Sequence, residues 1–299
     1  MFLAANEPRE PGLWPGVLQR PHHGERVAGV TDGGQPLDAD GARRAFKDRH
    51  QHRGSMPLAR VSTKRGAILY DPARIELPDP LDFDAESLAR AGRIRAEASG
   101  RGQVFFCEPR GPHAAGEQWV LRHYRRGGLV RHLLADRYLF RSERSTRAFA
   151  ECTLLAELTE ANLPVPAPVA ARFERRGLTY AADLITVAIP AATTLAELVV
   201  TAAGEPLDPV LMAAIGRVVR RLHDAGVWHA DLNAHNLLAD RQGRAFVIDF
   251  DRARRRPPGA WHEANLRRLE RSLAKVCAAA GLGFPAADAR ALRAGYEGV

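Results

Sequence analysis

The chain is expected to fold as an α+β protein of two lobes, the first sheet-rich and the second short and mainly helical. Strand-like segments bounded by turn signals fall before residue 188: Gln103-Val104-Phe105-Phe106, Trp119-Val120-Leu121-Arg122 and Leu178 to Val187. Helical stripes dominate afterwards. Leu211, Ile215, Val218, Val219 and Leu222 recur at helical spacing, as do Leu266, Leu269, Leu273 and Val276. A length of 299 residues with 45% hydrophobic content allows two lobes and a normal core, while 20 Pro and 26 Gly imply long irregular stretches.

Residues 1–55 are rich in Gly, Pro, Arg, His and Asp without apolar periodicity and read as a disordered leader. Either Met56 is then the true initiator, or the leader before it is dispensable. The first lobe is assigned to residues 56–187. Gly100-Arg101-Gly102 precedes a strand and can turn its backbone N–H groups toward phosphates; a plain turn fits the three residues taken alone equally, but their place upstream of Val120-Leu121-Arg122 favours the phosphate role. Pro109 to Gly116 separates the next two strands. The second of these exits at Gly127-Gly128, and a basic, helical region follows as far as Glu160, with Leu154, Leu155 and Leu158 as its apolar face. Leu163-Pro164-Val165-Pro166 ends it. The strand from Leu178 to Val187 leads to a hinge near Thr186–Pro190.

The second lobe, residues 188–299, opens on a capping box, Thr194-Leu195-Ala196-Glu197. The stripe from Leu211 to Leu222 closes at Gly226. No internal repeat is present.

Lys+Arg of 43 against Asp+Glu of 35 gives a net charge of +8, which favours an anionic partner without choosing among phosphate, nucleic acid and lipid headgroups. No RNP, helix-turn-helix or zinc-finger pattern supports nucleic acid. Cys107, Cys152 and Cys277 are scattered and lack metal or disulfide spacing, as in a reduced cytosolic compartment. The most apolar window, Ala181 to Ala203, is interrupted by Asp183, Pro190 and Glu197 and does not span a bilayer, so membrane contact would be peripheral.

The chemistry is concentrated in Trp228-His229-Ala230-Asp231-Leu232-Asn233-Ala234-His235-Asn236-Leu237-Leu238, followed by Phe246-Val247-Ile248-Asp249-Phe250-Asp251. Leu237-Leu238 and Val247-Ile248 read as a hairpin turned by Arg241-Gln242-Gly243, which carries Asn236 and Asp249 to one edge of a cleft. Asp231 lies in the loop before it. Phosphoryl transfer from ATP needs this set: Asp231 takes the proton from an acceptor hydroxyl, and Asn236 and Asp249 hold Mg²⁺ on the phosphates. His229 and His235 are read as structural, since no further His or Cys cluster accompanies them.

The pair HADLNAHN and IDFDRAR resembles the protein-kinase-like fold, and within it the 3-deoxy-D-manno-octulosonic acid (Kdo) kinases. Gly66-Ala67-Ile68-Leu69-Tyr70-Asp71, Val120 to Gly128, and Trp261 to Leu269 with Asn265 fit the same branch. The similarity spans about residues 60–280; the first 55 have no counterpart. It implies that Arg122 stands where protein kinases carry a phosphate-binding Lys, where its fixed charge and fork of donors can grip phosphate oxygens, with Glu151 as the helix carboxylate that orients it. Ala230 replaces the Arg that answers a phosphorylated activation loop, so such regulation is not expected. Asn233 replaces a phosphate-facing Lys, so transition-state charge must be met elsewhere, for instance by an Arg. Asp251 replaces a Gly, as a second metal ligand or as an orienting group for the loop.

The resemblance further implies ATP-dependent phosphorylation of the Kdo 4-hydroxyl on a lipid IVA precursor, at the cytoplasmic face of the inner membrane. Arg125, Arg126, Arg131, Arg137, Arg141, Arg144 and Arg147, with Arg252, Arg254, Arg255 and Arg256, would suit that acceptor's carboxylate and phosphates. For any single Arg, a solvated helix face is the plainer reading. Rival functions are a kinase for another hydroxyl, of a heptose or an aminoglycoside, and a pseudokinase that binds anionic lipid or a partner.

Overall fold

The computed structural model describes residues 58–99, 103–110, 116–124 and 138–298. The expected leader, the Gly100–Gly102 turn, and Arg125, Arg126, Arg131 and Arg137 lie outside the described residues. In chain order, β1 (Ala59–Thr63) and β2 (Gly66–Tyr70) form a hairpin, and a short α1 (Ala85–Arg90) leads to β3 (Ile94–Ser99), β4 (Gln103–Cys107) and β5 (Trp119–His123). After β6 (Tyr138–Leu139) come α2 (Arg147–Glu160), β7 (Pro168–Arg176) and β8 (Thr179–Val187). These strands make one antiparallel sheet ordered β1-β2-β7-β8-β5-β4-β3, with β6 against β8. The remainder is mainly helical: β9 (Thr193–Thr194), α3 (Leu195–Thr201), α4 (Pro209–Asp224), β10 (Val227–Trp228), β11 (Leu237–Ala239), β12 (Ala245–Val247), β13 (Arg254–Arg255), α5 (Trp261–Ala279) and α6 (Ala286–Glu297). The α+β organisation is the one that the strand and stripe patterns imply.

Period-2 alternation gives the sheet two buried faces. Ile68, Leu121, Ala170 and Ile185 pack with Trp119, Phe83 and Leu88 on one side. Ala67, Ala171, Phe173 and Leu184 face α2 on the other, joining Phe149, Leu155 and Leu158. That second core runs on without a break through Met212, Ile215 and Val219 of α4 and Leu266, Leu269 and Leu273 of α5. Arg122 lies opposite Leu184 across β5–β8, so the alternation that buries Leu121 aims Arg122 at α2.

The helix expected as far back as Gly128 is shorter among the described residues. Tyr138-Leu139 pair with Tyr180-Thr179, a 3-10 turn covers Glu143–Ser145, and α2 starts at Arg147. Aromatic packing overrides helix here: Tyr138 meets Tyr180 at 5.6 Å and Phe140 stacks on Phe173 at 5.6 Å.

Thr194 and Glu197 cap α3 reciprocally, the Glu197 N–H donating to Thr194 Oγ1 at 3.1 Å and the Thr194 N–H to Glu197 Oε2 at 3.1 Å. The helix α6 has no counterpart in the sequence expectations. It packs on α4 through glycines at both contact points: a Cβ on Gly216 would sit 2.1 Å from the Leu292 carbonyl oxygen, and one on Gly295 2.1 Å from that of Ala213. No helix among the described residues is long and apolar enough to cross a membrane. The three cysteines are buried free thiols.

Candidate active site

β11 and β12 pair antiparallel, Leu237 opposite Val247. The turn between them hangs on Asp240, whose buried carboxylate accepts from the Gln242 and Arg244 N–H groups at 2.9 Å and from Arg244 Nε at 2.6 Å. The ladder extends by one bond, from the Ile248 N–H to the Asn236 carbonyl at 2.9 Å. Asn236 and the residue before Asp249 are therefore neighbours across the hairpin.

Side-chain bonds hold the loop carrying Asp231. The Asp231 carbonyl accepts from Asn236 Nδ2 at 2.9 Å and Asn233 Nδ2 at 3.1 Å. Asn233 Oδ1 caps the turn by accepting from the His235 and Asn236 N–H groups. His229, fully buried, reaches the Ile248 carbonyl with Nε2 at 3.0 Å, and its Nδ1 accepts the Asp231 N–H at 3.2 Å. Burial depresses the His229 pKa, which suits the neutral ring with the proton on Nε2. His229 thus ties loop to hairpin. His235 is exposed, and no metal-binding cluster of His, Cys, Asp and Glu occurs among the described residues.

A polar stripe of α5 faces this loop at helical spacing. Asn265 Nδ2 donates to the His229 carbonyl at 2.9 Å, Arg268 pairs with the Asp231 carboxylate, and Ser272 Oγ accepts the Ala234 N–H at 3.1 Å. Behind Asn265, His223 Nε2 donates to Asn265 Oδ1 at 3.2 Å, and its Nδ1 meets the Tyr296 hydroxyl at 2.7 Å. Burial pushes the His223 pKa down to about 4. Of these supports, sequence reasoning flagged only Asn265, inside a quoted segment. The i, i+3, i+7 recurrence of polar side chains at 265, 268 and 272 is the signal that could have exposed Arg268.

Arg122 occupies the other wall. One terminal nitrogen pairs with Asp249; the other pairs with Glu151 and reaches the Tyr124 hydroxyl at 3.2 Å. Burial alone would lower the Arg122 pKa, but Glu151, Tyr124 and Asp249 hold it well above its ordinary value. Burial raises the Glu151 pKa, against the pull of Arg122. The Glu151 carboxylate also accepts from the Tyr124 hydroxyl and, at 3.1 Å, from the Phe250 N–H. Asp249 itself has φ +62°, a left-handed conformation that a non-glycine residue adopts at about 1–3 kcal/mol. Flanking bonds at Ile248 and Phe250 fix it.

Asp251 accepts from Arg147 Nε at 2.6 Å, and Arg147 lies over the Tyr138 ring at 4.6 Å. This contact ties the segment after Asp249 to the start of α2. Arg255 binds Glu157 at 2.6 Å and the Ala225 carbonyl at 2.7 Å, while Arg254 and Arg256 cover the Trp228 ring. Arg255 thereby ties β13 to α2.

The donors suit a magnesium ion that arrives with phosphates. Asn236 commits Nδ2 to the Asp231 carbonyl, which leaves Oδ1 as the atom that would face such an ion, and the half-exposed Asp249 carboxylate would offer it hard oxygens. Mg²⁺ favours one or two such protein ligands plus phosphate oxygens over a dedicated protein cage.

A sequence model of the lipopolysaccharide kinase (Kdo/WaaP) family matches residues 85–296. The 3-deoxy-D-manno-octulosonic acid kinase of Vibrio parahaemolyticus serotype O3:K6 (strain RIMD 2210633) is 41% identical over 208 residues, 70% of this chain and 84% of that protein. The same-named enzyme of Stenotrophomonas maltophilia (strain K279a) is 40% identical over 234 residues, 78% and 90% of the two chains. A solved structure of WaaP in complex with acyl carrier protein covers 74% of this chain and 83% of its own, at 19% identity and a TM-score of 0.47. The family match runs from α1 through the Asp231 loop and the Asp249 hairpin into α6, and the curated relatives each cover 70% or more of the chain, so the chain belongs to the lipopolysaccharide kinase (Kdo/WaaP) family and is a phosphotransferase acting on a hydroxyl group.

Proposed function

We propose that the protein transfers the γ-phosphoryl group of ATP to the 4-hydroxyl of Kdo in Kdo–lipid IVA during lipopolysaccharide core biosynthesis, working peripherally at the cytoplasmic face of the inner membrane. The observation that carries the reading is the hairpin that sets Asn236 beside the Ile248–Asp249 step, with the Asp231 loop bonded to both. The named activity of the relatives supplies the acceptor.

In this reading Asp231 accepts the proton of the acceptor hydroxyl as its oxygen bonds to phosphorus and ADP leaves. Asn236 Oδ1 and Asp249 would hold Mg²⁺, which supplies charge neutralisation on the phosphates. Arg122, oriented by Glu151, places a fixed positive charge beside Asp249. Arg268 brings a second one to Asp231 and fills the charge deficit left by Asn233. Gly100 and Gly102, outside the described residues, are proposed for the phosphate side. The nucleotide side lies in residues 56–187, and the proton acceptor and metal ligands in residues 188–299.

Purified protein with Mg-ATP and Kdo–lipid IVA tests the proposal, the product being mapped by mass spectrometry. Phosphate on the Kdo 4-position is the expected result. Transfer to a heptose or aminoglycoside alone would reject the acceptor, and Mg-dependent ATP binding without turnover on any sugar would make the chain a pseudokinase.

A further inference from the structure

A second surface is left unused by phosphoryl transfer. Leu178, in the turn between β7 and β8, is 81% exposed, and Leu139 of β6 is 69% exposed, the two most exposed large hydrophobic side chains among the described residues. They belong to one tip of the fold. Leu139 pairs with Thr179, and the Phe140 N–H donates to the Leu178 carbonyl at 2.9 Å.

Beside the tip lies a shallow cavity of about 500 Å³ lined by Lys64, Arg65 and Arg175 together with Phe140 and Phe173. Arg175 sits 4.2 Å over the Phe140 ring, and its N–H bonds the Arg65 carbonyl at 2.7 Å. Lys64, Arg65 and Arg176 are exposed and form no ion pair among the described residues. The one carboxylate lining the cavity, Glu143, is neutralised by Arg60 at 2.8 Å.

Two apolar tips do not make a broad enough patch for a specific protein interface, which needs roughly 800 Å² per partner. They do match an interfacial anchor, in which a few apolar side chains enter the bilayer boundary while surrounding cations meet lipid phosphates. The tip is also continuous with the site: the Tyr180 hydroxyl, at the start of β8, accepts the Arg147 N–H at 3.0 Å, and Arg147 holds Asp251.

We infer that this tip is a bilayer anchor: Leu139 and Leu178 enter the headgroup boundary of an anionic membrane while Lys64, Arg65, Arg175 and Arg176 lie against its lipid phosphates. The inference rests on the membrane-borne acceptor proposed above, and its test separates the two.

The full chain is sedimented with vesicles of phosphatidylethanolamine and phosphatidylglycerol, or of phosphatidylcholine alone. The expected result is binding to the anionic vesicles only, weakening as salt rises. The double substitutions Leu139→Ser with Leu178→Ser, and Lys64→Glu with Arg65→Glu, each lower partition about tenfold or more. Neither changes the Tm or the turnover of Kdo–lipid IVA dispersed in detergent. Wild-type protein that ignores anionic vesicles, binds phosphatidylcholine equally, or is matched by both variants overturns the anchor. So does self-association in the ultracentrifuge that the leucine variant abolishes, since the tip would then be an interface between copies. Vesicle binding that behaves as expected in a protein with no turnover on Kdo–lipid IVA leaves the anchor standing and removes the acceptor.

Discussion

At Asp231 the main chain is bonded on both sides, its N–H to His229 and its carbonyl to Asn233 and Asn236. The carboxylate is left as the part that can answer a substrate, with Arg268 across from it. Asp231→Asn keeps the loop and removes the proposed proton acceptor, so kcat is expected to fall about 10²- to 10⁴-fold while the Kd for ATP is unchanged by calorimetric titration. Arg268→Ala is expected to lower kcat/KM for the acceptor about tenfold, the scale of a lost charge-assisted hydrogen bond, with the KM for ATP constant. A matching rise in the ATP KM would move Arg268 to the nucleotide side. The spacing of Asp231, Asn236 and Asp249 could be read because hairpin geometry is local. The Arg268 contact was harder to read, because its partner lies 37 positions away on another element and only the polar spacing at 265, 268 and 272 hints at it.

Among elements, the β11–β12 hairpin and the α3 capping box were legible, since each is set by a few adjacent residues. The late start of α2 was not, because Tyr138 and Phe140 take their conformation from Tyr180 and Phe173 on distant strands. Nor was α6, whose Ala-rich sequence buries Leu292 as its one large apolar side chain and which docks through Gly295 against Gly216 of α4. The helices α4, α5 and α6 meet at His223, and this junction predicts a pH dependence. The ordinary pKa of 6.5 falls to about 4 in the folded protein. Below pH 6.5 the unfolded chain takes up a proton that the folded chain refuses until about pH 4. The stabilisation is therefore complete above pH 6.5 and is lost as the pH falls toward 4, by about 3 kcal/mol from this one residue. Burial shifts His229 in the same direction. Thermal unfolding followed between pH 7 and pH 4 should show a falling Tm, with a shallower slope in His223→Gln.

Across the whole molecule, Glu151 is where the sheet and the catalytic hairpin are joined. One buried carboxylate accepts from Arg122 and Tyr124 on or beside β5 and from the Phe250 N–H next to Asp249, while Arg122 reaches Asp249 directly. The resemblance to kinases suggested the Arg122–Glu151 pair. The tie to Phe250 is a main-chain contact 99 positions away that no residue pattern announces. If Glu151 sets the distance between the proposed nucleotide wall at Arg122 and the proposed metal ligands of the hairpin, its loss should disturb ATP before it disturbs the acceptor. Glu151→Gln keeps the volume and one acceptor oxygen but removes the charge opposite a partly buried guanidinium, a change on the order of 1–3 kcal/mol. The expected kinetics are a rise in the ATP KM of about tenfold and a smaller fall in kcat, with the acceptor KM little changed. Because the same substitution weakens the Arg122 pair, the Tm should also fall, and Glu151→Asp should restore part of the Tm while its shorter reach leaves the ATP KM high. Kinetics identical to wild type for Glu151→Gln would confine Glu151 to the core and leave Arg122 to be positioned by Asp249 alone.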